Sequence, residues 1–172
     1  MPGSKYQRVL AVFGSTLFLV LAPGTVVGLI PWWISKWQVR AGLPGSLFVQ
    51  LLGFLVLLAS ILVLLDSFAR FALQGIGTPA PVLPTRHLVV TGLYRYVRNP
   101  MYVGVVSAVL GQSMILENLV LLGYAAFVWF ISHLFVVTYE EPALRRTFGN
   151  EYQFYCANVP RWIPRLRAWT GS

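Results

Sequence analysis

Two short clusters carry most of the side chains able to do chemistry in a chain otherwise built of apolar residues. The first runs Thr91-Gly92-Leu93-Tyr94-Arg95-Tyr96-Val97-Arg98-Asn99-Pro100-Met101-Tyr102 and combines two guanidinium groups, three phenols, a glycine and an Asn-Pro step. The second is Glu140-Glu141-Pro142. A guanidinium can hold a carboxylate bidentately, and carboxylates beside phenols complement hydroxyl or ammonium groups. Arginines and tyrosines at a membrane boundary also anchor helices, and a glutamate at a helix end can be no more than a solvated charge. It is the convergence of Arg, Glu and Tyr that points to a ligand site, favouring a polar cofactor that meets a lipophilic substrate.

Composition says what must position these clusters. Of 172 residues, 57% are hydrophobic and only 10% charged, with mean hydropathy +0.70, whereas soluble domains carry about 25% charged residues. That is too little polar surface for water, so the chain reads as one all-α integral membrane domain over residues 1–172. The net charge of +8 fits basic loops against an anionic leaflet and excludes a nucleic-acid partner in this context. A single cysteine, Cys156, forbids an intrachain disulfide and Cys-based metal sites, and no metal ligand set is expected.

Four apolar stretches read as transmembrane helices: 9–30, 47–65, 101–116 and 118–139. Pro31 closes the first, and Asp66 and Arg70 close the second. The third is short, about 24 Å as a helix, and Asn99-Pro100 suits its start because proline is tolerated in a first turn. Lys5 and Arg8 before the first stretch resemble a signal peptide, but its length favours a retained helix. Gly75, Gly77, Pro79, Pro81 and Pro84 make 74–84 an extended connector. Eleven of the thirteen Lys and Arg fall on one side of this arrangement, which puts both termini in the cytoplasm and favours an inner or plasma membrane.

If Glu117-Asn118 turns an antiparallel hairpin, Arg98 lies 19 residues before it and Glu140 22 after. The offset is only about 4.5 Å along the axis, so Arg98, Asn99 and the Glu pair should meet at one boundary. Gly104 with Ala108, and Ser107 with Gly111, offer small-xxx-small faces for closing that hairpin. Successive helical residues point about 100° apart, so only one of Glu140 and Glu141 should face a pocket. His133 reads as a hydrogen-bonded bundle histidine. The tail arginines Arg161, Arg165 and Arg167, interleaved with Trp162 and Trp169, read as an amphipathic lid or interfacial anchor.

The residues Leu88, Arg98-Asn99-Pro100-Met101-Tyr102, Gly104, Glu140-Glu141-Pro142, Leu144, Phe148-Gly149, Tyr152, Tyr155 and Val159-Pro160-Arg161-Trp162-Ile163-Pro164 resemble the isoprenylcysteine carboxyl methyltransferase and phospholipid methyltransferase superfamily. The resemblance covers roughly residues 75–166, with Asn99 where the family usually has histidine. It implies an integral membrane enzyme that binds S-adenosylmethionine in a cytoplasmic pocket closed by its C-terminal helical segment. It implies, further, methyl transfer to an isoprenoid or lipid carboxylate or a phospholipid amine. A carboxylate acceptor is already ionised and needs no base, whereas an amine must lose a proton, which a glutamate could take.

Carried onto this chain, the resemblance gives Arg98, Glu140 and Tyr102 as catalytic residues. The cofactor-binding set is His87, Leu88, Val90, Gly92, Tyr94, Asn99, Pro100, Glu140 and Glu141. Membrane lipids and a lipophilic or lipid substrate are the partners implied, with monomer and homodimer both open. Two other functions remain in view: a sterol-reductase-like enzyme using NADPH, which would want more helices, and a non-catalytic membrane subunit or transporter, which would want more midplane charge.

Overall fold

The computed structural model describes residue 17 and residues 20–39, 46–70 and 88–171. Among the described residues all the regular structure is helical, with no strand. Helix α1 is Val20–Ser35, α2 is Ser46–Arg70 and α3 is Pro100–Ile115. Helix α4, Leu119–Phe135, runs through a π-helical turn, Val136–Glu140, into α5, Glu141–Asn158. A 3-10 turn, Gly92–Arg95, precedes α3. The connector at 74–84, His87 and the first part of the first span lie outside the described residues.

Two helical stretches are long and apolar enough to cross a membrane, Leu47–Arg70 and Leu119–Asn158. The second is apolar only up to Tyr139, after which Glu140, Glu141, Arg145 and Arg146 follow. Helix α1 and helix α3 are apolar but shorter, so the sequence expectation of four spans meets the length criterion at two of them. Helix α2 exposes Leu47, Phe48, Leu51, Phe54, Leu55, Leu58 and Leu62, a continuous apolar face suited to lipid.

Pro31 does not close the first helix, which continues to Ser35. Gly24–Leu29 forms a π-helical turn just before it. Proline has no N–H to give to the carbonyls four or five residues back, here Val27 and Val26. Both are satisfied from other helices: Gln112 Nε2 donates to the Val27 carbonyl at 2.8 Å and the Tyr124 hydroxyl to the Val26 carbonyl at 3.1 Å. The break in the ladder thus becomes the bond that ties α1 to α3 and α4. Helix α2 passes Asp66 and runs to Arg70, and the two sit one turn apart as an ion pair, Nε to Oδ2 2.8 Å, that supports its last turn.

The small residues of α3 serve a different partner from the one their spacing suggested. A Cβ on Gly111 would stand 2.7 Å from the Gly53 carbonyl oxygen and 2.8 Å from the Leu57 nitrogen, and Gly104 faces Leu64 and Val63. Gly104 and Gly111 therefore bring α3 against α2, rather than against its hairpin neighbour α4. In lipid, apolar side chains gain little by leaving the bilayer, so close backbone approach through small residues is what holds such a pair. The hairpin itself is closed by Asn118, whose Oδ1 accepts from the backbone N–H of Val120 at 3.0 Å and of Leu121 at 3.3 Å.

Candidate active site

The two glutamates sit at the seam between the π turn and α5, and Pro142 explains the seam. Its missing N–H would break the α-helical bond to Thr138, and the ladder widens there, with the Glu141 N–H reaching the Val136 carbonyl. Single π turns of this kind re-aim side chains and recur at functional sites. Here the turn sends the adjacent carboxylates into different company.

Glu140 turns to phenols. The Tyr102 hydroxyl donates to its Oε2 at 2.9 Å, and buried Tyr94 lies close enough to interact with it electrostatically. Among the described residues Glu140 makes no ion pair.

Glu141 turns to guanidiniums. Arg161 grips it bidentately, Nε to Oε1 2.6 Å and Nη2 to Oε2 3.0 Å, Arg98 Nη1 stands 3.1 Å from Oε1, and Arg145 reaches Oε2 at 3.9 Å. The Glu141 side chain is only 6% exposed and that of Arg98 11%. Burial alone would raise the Glu141 carboxyl, but the Arg161 hydrogen bonds and the Arg98 and Arg161 charges outweigh it and hold it below the ordinary glutamate range.

The hairpin arithmetic thus brings Arg98 to the glutamate pair, but its partner is Glu141 while Tyr102 takes Glu140. The same Arg98 nitrogen donates to Cys156 Sγ at 2.7 Å. Asn99 is buried, and its Nδ2 donates to the Arg161 carbonyl at 3.1 Å, fixing the backbone of the arginine that grips Glu141. Pro100 opens α3, as its position in the chain predicts. Leu88 and Val90 pack against a core of Tyr152, Tyr155 and Val159. Gly92 sits at φ +56, a conformation that favours glycine, and a Cβ there would collide with the Arg70 guanidinium. Tyr94 is tied down by the Tyr155 hydroxyl, which donates to the Tyr94 carbonyl at 2.6 Å.

The C-terminal tail lies along the segment that precedes α3. Arg98 N–H donates to the Pro160 carbonyl at 2.9 Å, Arg165 N–H to the Tyr96 carbonyl at 3.0 Å and Trp169 N–H to the Arg95 carbonyl at 3.0 Å. Ile163 and Leu166 project outward in keeping with an interfacial anchor, but Arg161 and Trp162 turn inward. Trp162 Nε1 donates to His133 Nδ1 at 3.0 Å, and its ring stands edge-on to Tyr102 with centroids 6.5 Å apart. His133 is the hydrogen-bonded bundle histidine its position implied. Arg161 and Trp162 are the residues that sequence spacing undervalues. The signal was the run Pro160-Arg161-Trp162-Ile163-Pro164, whose two prolines keep it out of a regular helix, and the structure bends it there.

Helical spans with an apolar outer face, joined to an Arg, Glu and Tyr cluster where the apolar helices end, define a class of membrane-embedded proteins with a polar site at the bilayer edge. The chain belongs to the phospholipid methyltransferase family, whose sequence model matches residues 48–151. It is similar to the protein-S-isoprenylcysteine O-methyltransferase of Schizosaccharomyces pombe (strain 972 / ATCC 24843), 43% identical over 83 residues that make up 46% of this chain and 34% of that one. It is also similar to protein-S-isoprenylcysteine O-methyltransferase B of Arabidopsis thaliana, 33% identical over 79 residues, 45% of this chain and 39% of that one. The chain therefore spans between 34% and 39% of the length of these curated relatives.

Proposed function

We propose that the protein transfers a methyl group from S-adenosylmethionine to a lipophilic acceptor at the cytoplasmic boundary of the membrane. The observation that carries this reading is the contrast between the two carboxylates. Glu141 is neutralised by three arginines, whereas Glu140, held by Tyr102, has no cation of its own among the described residues. A half-buried carboxylate left in that state complements a cationic ligand group, and S-adenosylmethionine brings both an ammonium and a sulfonium.

The donor set fits that cofactor. Glu140 would take its ammonium and the phenols of Tyr94 and Tyr102 would line its cation, with Leu88, Val90, Asn99 and Pro100 around it. When bound, the cofactor supplies an electrophilic methyl group. Tyr102 orients the Glu140 carboxylate, and the apolar helices keep water from the acceptor. Arg98, with Asn99 and Glu141, holds the tail across the site and brings positive charge to a carboxylate acceptor. For an amine acceptor, the proton would pass to Glu140 on a lone pair that neither Tyr102 nor the ammonium uses.

Calorimetric titration of S-adenosylhomocysteine into the detergent-solubilised protein tests this. Saturable binding, weakened at least about tenfold in Glu140→Gln as loss of a charge-assisted contact predicts, is the expected result. Arg98→Ala should abolish transfer to a lipid acceptor. Binding of NADPH in place of S-adenosylhomocysteine by folded protein would move the reading to a reductase.

A further inference from the structure

A concave feature lies away from the Tyr102–Glu140 pair. It is an open cleft of about 480 Å³ lined by Leu62, Val63, Asp66 and Arg70 of α2, by Gly92, Leu93, Arg95 and Tyr96 before α3, and by Ala168 of the tail. On α3, Gly104 faces α2, and Tyr102, two residues earlier, is rotated about 200° from it. The 3-10 turn separates the two places: Tyr94 is buried towards Glu140, while Gly92, Leu93, Arg95 and Tyr96 border the cleft.

The chemistry of the cleft changes along α2. Its lower wall is apolar, and Leu62 is 60% exposed on the face suited to lipid. Its rim carries two guanidiniums and one carboxylate. Asp66 gives both oxygens to Arg70, Oδ2 to Nε and Oδ1 to Nη2, each at 2.8 Å, so its charge is balanced within the rim and the net charge there is positive. Arg70 Nη1 keeps only a 3.4 Å contact with Thr91 Oγ1, and the glycine at 92 is what lets this guanidinium lie against the turn. Arg95 gives Nε to the Trp169 carbonyl at 2.5 Å, which fixes its plane. Its two terminal nitrogens have no partner among the described residues. Two oriented guanidinium edges above an apolar wall, with the only acid already engaged, match a phosphate carried on an acyl chain.

We propose that this cleft binds the headgroup of a phospholipid with net negative charge, its phosphate on Arg70 and Arg95 and its first methylenes against Leu62 and Val63. The lipid is a resident of the membrane, distinct from any methyl acceptor, and the site stands whether or not the chain transfers methyl groups. Its occupancy joins the end of α2, the turn before α3 and the tail through one ligand.

Native mass spectrometry of the full chain, equilibrated in detergent with equimolar phosphatidylglycerol and phosphatidylcholine, reads this directly. Retained phosphatidylglycerol should exceed phosphatidylcholine by at least about fivefold, the selectivity expected for one basic group at a membrane surface. Arg95→Gln should bring the two lipids to near equality. Ala168→Phe, which fills the cleft and leaves every charge in place, should lose the adduct altogether. Equal retention of both lipids by the wild type, a preference that survives both variants, or displacement by millimolar inorganic phosphate would each overturn the proposal. Displacement by S-adenosylhomocysteine would overturn it too, by giving the cleft to the cofactor.

Discussion

Glu140 and Glu141 are chemically identical and adjacent, yet their surroundings give them opposite work. Glu141 is the hub of an ion cluster that joins α5 to the segment before α3, through Arg98, and to the tail, through Arg161. Its folded carboxyl lies below the ordinary glutamate value, so the folded state binds this proton less tightly than the unfolded chain. The stability it contributes is fully present above the unfolded value of about 4.3 and is lost as pH falls through the lower folded value. The difference in melting temperature in detergent between the wild type and Glu141→Gln should therefore hold steady from about pH 8 to about pH 5 and shrink on further acidification. At neutral pH, Glu141→Gln should cost about 3 kcal/mol, because it leaves the Arg98 charge buried and uncompensated, and its acid limb should be shallower than that of the wild type. Glu140→Gln loses only the charge on one hydrogen bond and should cost about 1 kcal/mol. Equal losses in thermal unfolding of the two variants would remove the division of labour drawn between them.

At the scale of the element, both π-helical turns stand two residues before a proline: Gly24–Leu29 before Pro31 and Val136–Glu140 before Pro142. In a water-soluble protein such prolines would end their helices; in a membrane protein, side chains of neighbouring helices satisfy the freed carbonyls and the helix continues, as Gln112 and Tyr124 do for α1. This is why the sequence misplaces the end of the first helix although it locates the apolar runs well. Asn99-Pro100 and Asn118 signal their helix starts locally, and the convergence of Arg98 with the glutamates follows from counting residues around one turn. Which glutamate meets which partner was not legible, since a π turn shifts the register by an amount that composition does not encode. Nor was the partner of the α3 glycines, because small-residue spacing marks a close face without naming the helix across it. The α2–α3 contact gives a paired prediction. A Cβ on Gly53 would lie 2.7 Å from Met114 Cβ and 2.8 Å from the Gly111 carbonyl oxygen, while one on Gly123 meets nothing within 4 Å. Gly53→Ala should destabilise by about 1–3 kcal/mol through overpacking. Gly123→Ala should be neutral or stabilising by up to about 1 kcal/mol through its helix propensity. Thermal unfolding of both variants in one detergent makes the comparison, and a Gly53→Ala protein as stable as the wild type would mean the two helices are not in backbone contact.

For the whole molecule, the architecture turns on whether the 16-residue α3 crosses the membrane or only dips into it. Its neighbours answer through where it starts and stops. At one end Met101 and Val105 pack with Leu64 and Phe68; at the other Gly111 meets Gly53, and Gln50 Nε2 donates to Glu117 Oε1 at 2.9 Å. Helix α3 thus runs antiparallel beside α2 over nearly its full length, and the stretch of α2 that it accompanies, from residue 50 to residue 68, is about 27 Å long, close to the hydrocarbon thickness of a bilayer. A partner that keeps pace with a spanning helix from one polar end to the other is expected to span with it. Between residues 38 and 167 the chain would then cross three times, through α2, α3 and α4, and those two positions would lie on opposite sides; were α3 re-entrant, they would share a side. In a Cys156→Ser background, Gln38→Cys and Arg167→Cys, both exposed positions, can be labelled with a membrane-impermeant maleimide in sealed vesicles of known orientation. Residue 167 should react only from the cytoplasmic face, where most Lys and Arg are counted, and residue 38 only from the other. Labelling of both from one face would make α3 a re-entrant helix, and the polar site would then lie between two spans rather than at the end of a bundle.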